Sequence, residues 1–170
     1  GDVPWITPDD LSRDRRKFVE GGRRSITREG LDSCAATLVP AGTVLFTSRA
    51  PIGYTAIASR PIATNQGFKS LIPSDGLQSD FVYWQLVHLT ETIRGMGSGT
   101  TFAEVSKKVM ATVPLRVAPL AEQHRIVAAI EEASSKLDAG EAILIDIRET
   151  DEHAREHILG ARLERRRDEF

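Results

Sequence analysis

The chain has 170 residues and 18.7 kDa, 41% hydrophobic and 27% charged, enough for one domain, or a small domain with an appendage, around a real core. Its formal charge of -2, from 22 Lys/Arg and 24 Asp/Glu, argues as a sum against a strongly basic nucleic-acid binder. The sum hides two unlike parts: 14 Lys/Arg against 11 Asp/Glu up to Ala118, and 8 against 13 from Pro119 onward. Nearly all Pro, Gly and aromatic residues lie in the first part. That break predicts a domain over 1–118 and a separate segment over 119–170.

In the first part, short elements alternate with turn residues. Thr43-Val44-Leu45-Phe46-Thr47-Ser48 reads as a strand after Pro40-Ala41-Gly42, and Gly53 to Ala58 as a second. Phe68 to Ile72 reads as a third, closed by Pro73-Ser74-Asp75-Gly76. Phe81, Trp84, Leu86, Val87 and Ile93 recur at helical spacing, with Asp80 placed as N-cap or first-turn acid. A Gly-rich loop at Gly95 to Thr100 precedes a short helix near Phe102 to Val109 and a last strand near Thr112 to Val117. The class is α+β: a small mixed α/β domain followed by one long coiled-coil helix.

That helix enters at Pro119, with Glu122 in the first turn where the dipole favours an acid. Ile126, Ile130, Ala133, Leu137, Gly140, Leu144, Ile147, Asp151, Ala154 and Ile158 recur in steps of four and three, a left-handed coiled-coil seam. A helix of roughly 45–50 residues would be about 70 Å long at ~1.5 Å per residue. A domain of this size has a radius of gyration of only about 14 Å, so much of the helix must project and find another helix. The alternative is a helical hairpin turning at Asp138-Ala139-Gly140.

The sequence offers little catalytic chemistry. His153-Ala154-Arg155-Glu156-His157 matches the H-x-x-E-H pattern of a zinc peptidase class, but a catalytic zinc needs a third ligand and a shielding cavity. Solvated histidines are the default reading. The Gly95 to Thr100 loop has neither nucleotide-binding order. No D/N-P-P-Y/F segment and no carboxylate–lysine pair of the restriction-nuclease kind is present. Cys34, the one cysteine, excludes an internal disulfide and is expected as buried packing. No metal or cofactor is implied. With no signal peptide and no apolar run long enough for a bilayer, the expected compartment is the cytoplasm. The opening Gly1, without an initiator Met, suggests a cut-back or processed N-terminus.

Candidate nucleic-acid contacts are more plentiful. Arg13, Arg15, Arg16, Lys17, Arg23, Arg24 and Arg28 crowd one segment around Gly21-Gly22, where Arg can meet phosphates or fork onto guanine edges. A solvated loop balanced by Asp14, Glu20 and Glu29 is the competing reading. Arg49 stands at a strand end, Asn65 and Gln66 could read adenine or simply form a turn, and Lys107 and Lys108 could hold phosphates.

The order of the motifs is more telling than any one of them. Gly1-Asp2-Val3-Pro4-Trp5-Ile6-Thr7 is followed by Ser25-Ile26-Thr27-Arg28-Glu29-Gly30-Leu31, Leu38-Val39-Pro40-Ala41-Gly42-Thr43-Val44, Gly53 and Ala63-Thr64-Asn65-Gln66. Gly99-Thr100-Thr101-Phe102, Val113-Pro114-Leu115 and Pro119-Leu120-Ala121-Glu122-Gln123, leading into Ile126-Val127, complete the set. Together they resemble the specificity subunit of type I restriction–modification systems, from Gly1 to about Ile147.

The resemblance implies a non-catalytic target-recognition domain reading half of a bipartite double-stranded DNA site, followed by a conserved spacer helix. In that family antiparallel helices set the gap between half-sites and dock methyltransferase subunits, and restriction–translocase subunits join the core. Two departures stand out: one recognition domain and one helix where full-length members have two of each, and no opening strand with a Gly-x-Pro-rich loop before Gly1. The chain is then a half-subunit that pairs through the Ile126 to Ile158 seam, or a piece of a longer subunit. The rival readings are a coiled-coil adaptor that binds only protein and, more remotely, a zinc hydrolase.

Overall fold

The computed structural model describes residues 1–49, 51–99 and 103–139. In chain order they form β1 (Val3–Ile6), α1 (Pro8–Arg13), β2 (Phe18–Val19), β3 (Arg24–Ile26), α2 (Arg28–Asp32), β4 (Thr37–Val39), β5 (Val44–Phe46), β6 (Thr55–Ala58) and β7 (Ile62–Thr64). Four helices follow: α3 (Ser79–His88), α4 (Thr90–Gly95), α5 (Lys107–Met110) and α6 (Leu120–Asp138). Gly1–Ile130 makes one compact unit, so the first turns of α6 belong to it although the composition breaks at 118/119. A second unit starts at Glu131; its described part is the end of α6, where Lys136 pairs with Glu132 at 2.5 Å.

Two sheets build the first unit. One has the order β3-β1-β7-β4, the other β2-β6-β5. β1 runs parallel to β7, with Trp5 opposite Ala63, and β2 runs parallel to β6, with Phe18 opposite Ile57; the other pairs are antiparallel. Period-two alternation distributes the core. Leu45, Ala56 and Ala58 of the second sheet meet Ile6, Val39 and Ile62 of the first. Val44, Phe46 and Ile57 point the other way, onto Val82, Leu86, Ile93, Val105 and Met110. Val3 and Ala63 cover Leu31 of α2. The layers therefore run α2, sheet, sheet, helices. β5 is buried on both faces, which is why its sequence is a continuous apolar run instead of an alternating one.

The expected strands at 43–48 and 53–58 are β5 and β6, trimmed at their ends. The segment at 68–72 is not a regular strand; it lies along β5 through bridges of Phe68 to Thr47 and Leu71 to Val44. The expected helix at 81–93 is two, α3 and α4, meeting at Leu89 with ψ near 0. The short helix starts only at Lys107, because Glu104 pairs with Ser98 and the Val105 amide donates to the Ser48 carbonyl at 2.9 Å, holding both residues extended. The strand near Thr112 to Val117 does not form. Thr112 and Val113 turn back onto Val109 and Met110, and Pro114 has no amide to give a ladder. Cys34 is exposed, not buried: it follows the last turn of α2 at the surface.

Local chemistry starts the helices where the chain needs them. Thr7 and Asp10 form a reciprocal capping box around Pro8, with the Thr7 amide donating to Asp10 Oδ2 at 2.9 Å. Thr27 and Ser106 cap α2 and α5. The root of α6 is held differently. Gln123 is fully buried; its Nε2 donates to the carbonyls of Gly76 and Ala118, each at 2.7 Å, and its Oε1 accepts from the Gln78 amide at 2.8 Å. Val127, one turn on, is also buried. Of the expected seam, Ile126, Ile130 and Ala133 are half-buried and Leu137 is half-exposed; Gly140, Leu144, Ile147, Asp151, Ala154 and Ile158 lie outside the described residues. No helix among the described residues is long and apolar enough to cross a membrane.

Candidate nucleic-acid interface

The arginine segment follows from the parallel pairing of β1. The chain leaves that strand at Thr7, turns through α1 and returns along Arg15 to Lys17 into β2. Three of its arginines are matched by acids on and beside α1. Asp9 Oδ2 accepts from Arg13 Nε at 3.0 Å and from an Arg23 NH2 group at 2.5 Å. Asp10 also takes Arg23, through the backbone amide and Nε, both at 3.2 Å. Arg16 forks onto Asp14, with Nε 2.8 and 2.9 Å from its two oxygens.

These contacts shift the acids in a readable direction. Partial burial pushes Asp10 upward, but hydrogen bonds from Thr7 and Arg23 outweigh it and leave its carboxyl below the ordinary value. Arg16 holds the exposed Asp14 low by direct hydrogen bonding. Glu132, on the far part of α6, is lowered in the same way by Lys136.

Arg15 and Lys17 have different surroundings. The Arg15 guanidinium carbon lies 4.8 Å from the centroid of the Tyr54 ring, and a terminal nitrogen donates to the Tyr54 hydroxyl at 3.1 Å. Lys17 is mostly buried. It pairs with Asp80 at 2.5 Å and sits 5.2–5.6 Å from the ring centroids of Phe18, Tyr83 and Trp84. It fastens β2 to α3 through Asp80, which stands in the first turn of α3, the second of its two expected places; Gln78 holds the N-cap position, without a side-chain bond.

The second group gathers around Lys69 and Glu104. Lys69 Nζ donates to Ser48 Oγ at 3.0 Å, to the Gln66 carbonyl at 3.3 Å and to Glu104 Oε1 at 3.3 Å. One ammonium group thus ties the end of β5, the loop after β7 and the segment that opens α5. Arg49 bridges Glu104 through the backbone, and Lys107 and Lys108 begin α5 two residues beyond Val105. Asn65 is a turn residue, its Oδ1 accepting from the Gly67 amide at 2.9 Å, while Gln66 is exposed.

The topology brings these two groups to one end of the sheets. β1 and β7 are parallel, so α1 and the 65–67 loop leave from the same edge. A Cβ on Gly67 would run into Pro8, so loop and helix start are in direct contact. The Ser48 amide donates to the Gly67 carbonyl at 2.8 Å, and Thr47 exchanges bonds with Tyr54, the platform of Arg15. Arg13, Arg15, Arg16, Arg23, Arg24, Arg49, Asn65, Gln66, Lys107 and Lys108 therefore come from segments that meet. Arg28 does not join them: Ile26 pairs with Val3, at the opposite end of β1.

Tyr54, Lys69 and Glu104 were not singled out from sequence, nor was Arg60, which is exposed in the β6–β7 turn. Single charged or aromatic residues in short turns carry no pattern of their own. Among the described residues, Arg24, Arg49, Lys107 and Lys108 have no carboxylate side-chain partner. Nor do three His, Cys, Asp or Glu assemble as a metal site there; His153 and His157 lie outside the described residues.

Residues 1–149 match the family model described as the type I restriction modification DNA specificity domain. The chain belongs to this family. Over 128 residues it is 39% identical to the type I restriction enzyme MjaIX specificity subunit of Methanocaldococcus jannaschii, covering 74% of this chain and 30% of that protein. The HindI specificity subunit of Haemophilus influenzae is 26% identical over 102 residues, 59% of this chain and 22% of the relative. The chain thus spans less than a third of these curated relatives. A chain from a structure of type I restriction–modification complex assembly and conformational transition superposes with a TM-score of 0.63 at 25% identity, over 81% of this chain and 32% of that one. The specificity subunit HsdS of Thermoanaerobacter tengcongensis gives the same TM-score at 23% identity over 81% and 31%, a likeness of fold. The mixed α/β architecture is that of the family.

Proposed function

We propose that this chain is a DNA sequence-recognition module of a type I restriction–modification complex, reading one half of a bipartite double-stranded target. The observation that carries the reading is the match of residues 1–149 to the specificity domain. The convergence of Arg15, Arg24, Arg49, Gln66, Lys107 and Lys108 on one end of a well-packed two-sheet core supports it. Loops on a rigid scaffold are where base-reading side chains belong. Residues 1–118 act as the reader and the helix from Pro119 as spacer and docking post for methyltransferase subunits. Restriction–translocase subunits join that assembly. Adenine methylation, ATP hydrolysis and cleavage lie on those partners, and the chain works in the cytoplasm without a cofactor of its own.

Two chains pair through the seam that begins at Ile126 and Ile130 and continues toward Ile158, making a two-fold unit that favours an interrupted palindrome. The modest basic excess up to Ala118 implies weak DNA binding by one chain and tight binding by the assembled complex. The test is selection from a randomised duplex library by the purified chain with its methyltransferase partner, followed by mapping of methylated adenines. Enrichment of one bipartite sequence is the expected result. Binding that is indifferent to sequence at every salt concentration overturns the proposal in favour of a protein-only adaptor.

A further inference from the structure

Arg15 differs from the other arginines around α1 in what holds it. A phosphate approaching Arg13, Arg16 or Arg23 also meets Asp9, Asp10 or Asp14, so those cations are locally cancelled. Arg15 rests instead on a neutral ring, which fixes the plane of its guanidinium and leaves the charge intact. The platform is itself fixed. The Tyr54 amide donates to Thr47 Oγ1 at 2.8 Å and the Thr47 amide to the Tyr54 carbonyl at 2.9 Å. Gly53 has φ +107, and a Cβ there would collide with Thr90, so the hairpin lies tight against α4.

The cleft beside Arg15 is lined by Leu11, Asp14, Tyr54, Thr55, Tyr83 and Val87. Asp14 in this cleft is engaged by Arg16 through both oxygens, so that pair adds no net charge and leaves Arg15 as a single cation there and not part of a phosphate-gripping cluster. A guanine edge in the major groove suits one planar cation held on a ring: its N7 and O6 both accept from the fork. We propose that Arg15, carried on Tyr54, reads a guanine in the major groove. This rests on the DNA-recognition reading above.

The experiment uses duplexes enriched from a randomised library by the chain together with its methyltransferase partner, in which each guanine is replaced in turn by 7-deazaguanine. At one position the replacement should weaken binding of the unaltered chain by about 10- to 100-fold, the range of a bidentate base contact. Arg15→Lys keeps the charge but loses the fork. It should bind the natural duplex more weakly than the unaltered chain, lose much less on replacement, and bind random duplex as before. Tyr54→Leu should reproduce this behaviour with the fold intact by circular dichroism. Full replacement sensitivity in Arg15→Lys, or an equal loss on specific and random duplex, overturns the assignment. If the unaltered chain with its methyltransferase partner enriches no sequence at all, it is the DNA-recognition reading that fails.

Discussion

The root of α6 and the arginine segment around α1 are both held by polar contacts and use them for opposite ends. At the root, one neutral amide makes three hydrogen bonds at 2.7–2.8 Å with no exposed surface. Around α1, the Arg–Asp pairs range from 2.5 to 3.2 Å, and the arginine side chains are 62–73% exposed. Water competes for the second set and cannot reach the first. Exposed pairs of this kind contribute about 0–1 kcal/mol each, whereas a buried polar group left without its partner costs about 1–3 kcal/mol. The helix root is therefore where fold stability resides, and the arginine segment is a surface whose charge is held close to neutral.

Substitutions at Gln123, Asp9 and Asp10 would test this contrast, taken from the largest effect to the smallest. Gln123→Ala removes all three bonds and strands the Gln78 amide and two carbonyls. A loss of about 3 kcal/mol is expected, read from the denaturant midpoint of the chain. A loss below about 1 kcal/mol would mean that water replaces the amide and that the root is no different from the surface.

Asp9→Asn acts on the other side of the comparison. It frees Arg13 and one contact of Arg23 and should change stability by no more than about 1 kcal/mol. Binding to random duplex should nevertheless tighten several-fold at low salt, with the log–log salt slope steeper by about one. Unchanged binding would show that these arginines do not face DNA even when unpaired.

The smallest effect is on acid stability. Asp10 has a lowered pKa in the folded chain, so it contributes stability above the ordinary aspartate value near about 3.9 and loses it as pH falls through the folded value. Asp10→Asn should flatten the acid limb of the stability profile below about pH 4 while leaving its shape at neutral pH unchanged. An identical acid limb would place the lowered group elsewhere.

Much of this was readable beforehand and some was not. The apolar runs of β5 and β6 could be read because both strands are buried on two faces, and the Pro119 entrance to α6 because proline suits a first turn. The segments at 68–72 and 112–117 read as strands because β-branched and apolar residues carry that preference; the first meets β5 only through separate bridges, and a local turn with Pro114 stops the second. β2, only two residues long, is defined by its parallel partner β6 and has no local pattern to find.

The candidate site divides the same way. Composition and order alone determined the slightly basic first part, the acidic segment after Pro119 and the family, because charge and motif order survive without coordinates. Which cations are free was decided only in three dimensions. Asp9 and Asp14 lie within four positions of Arg13 and Arg16, but Arg23 reaches Asp9 and Asp10 from 13 or 14 positions away, and spacing cannot say which acid meets which arginine. Lys17 looked like its neighbours and proved to be part of an internal fastening to Asp80, 63 positions away. Arg15 acquired its platform from Tyr54, 39 positions away. Electrostatic character depends on distances of a few ångströms, and only the packing of two sheets sets those distances.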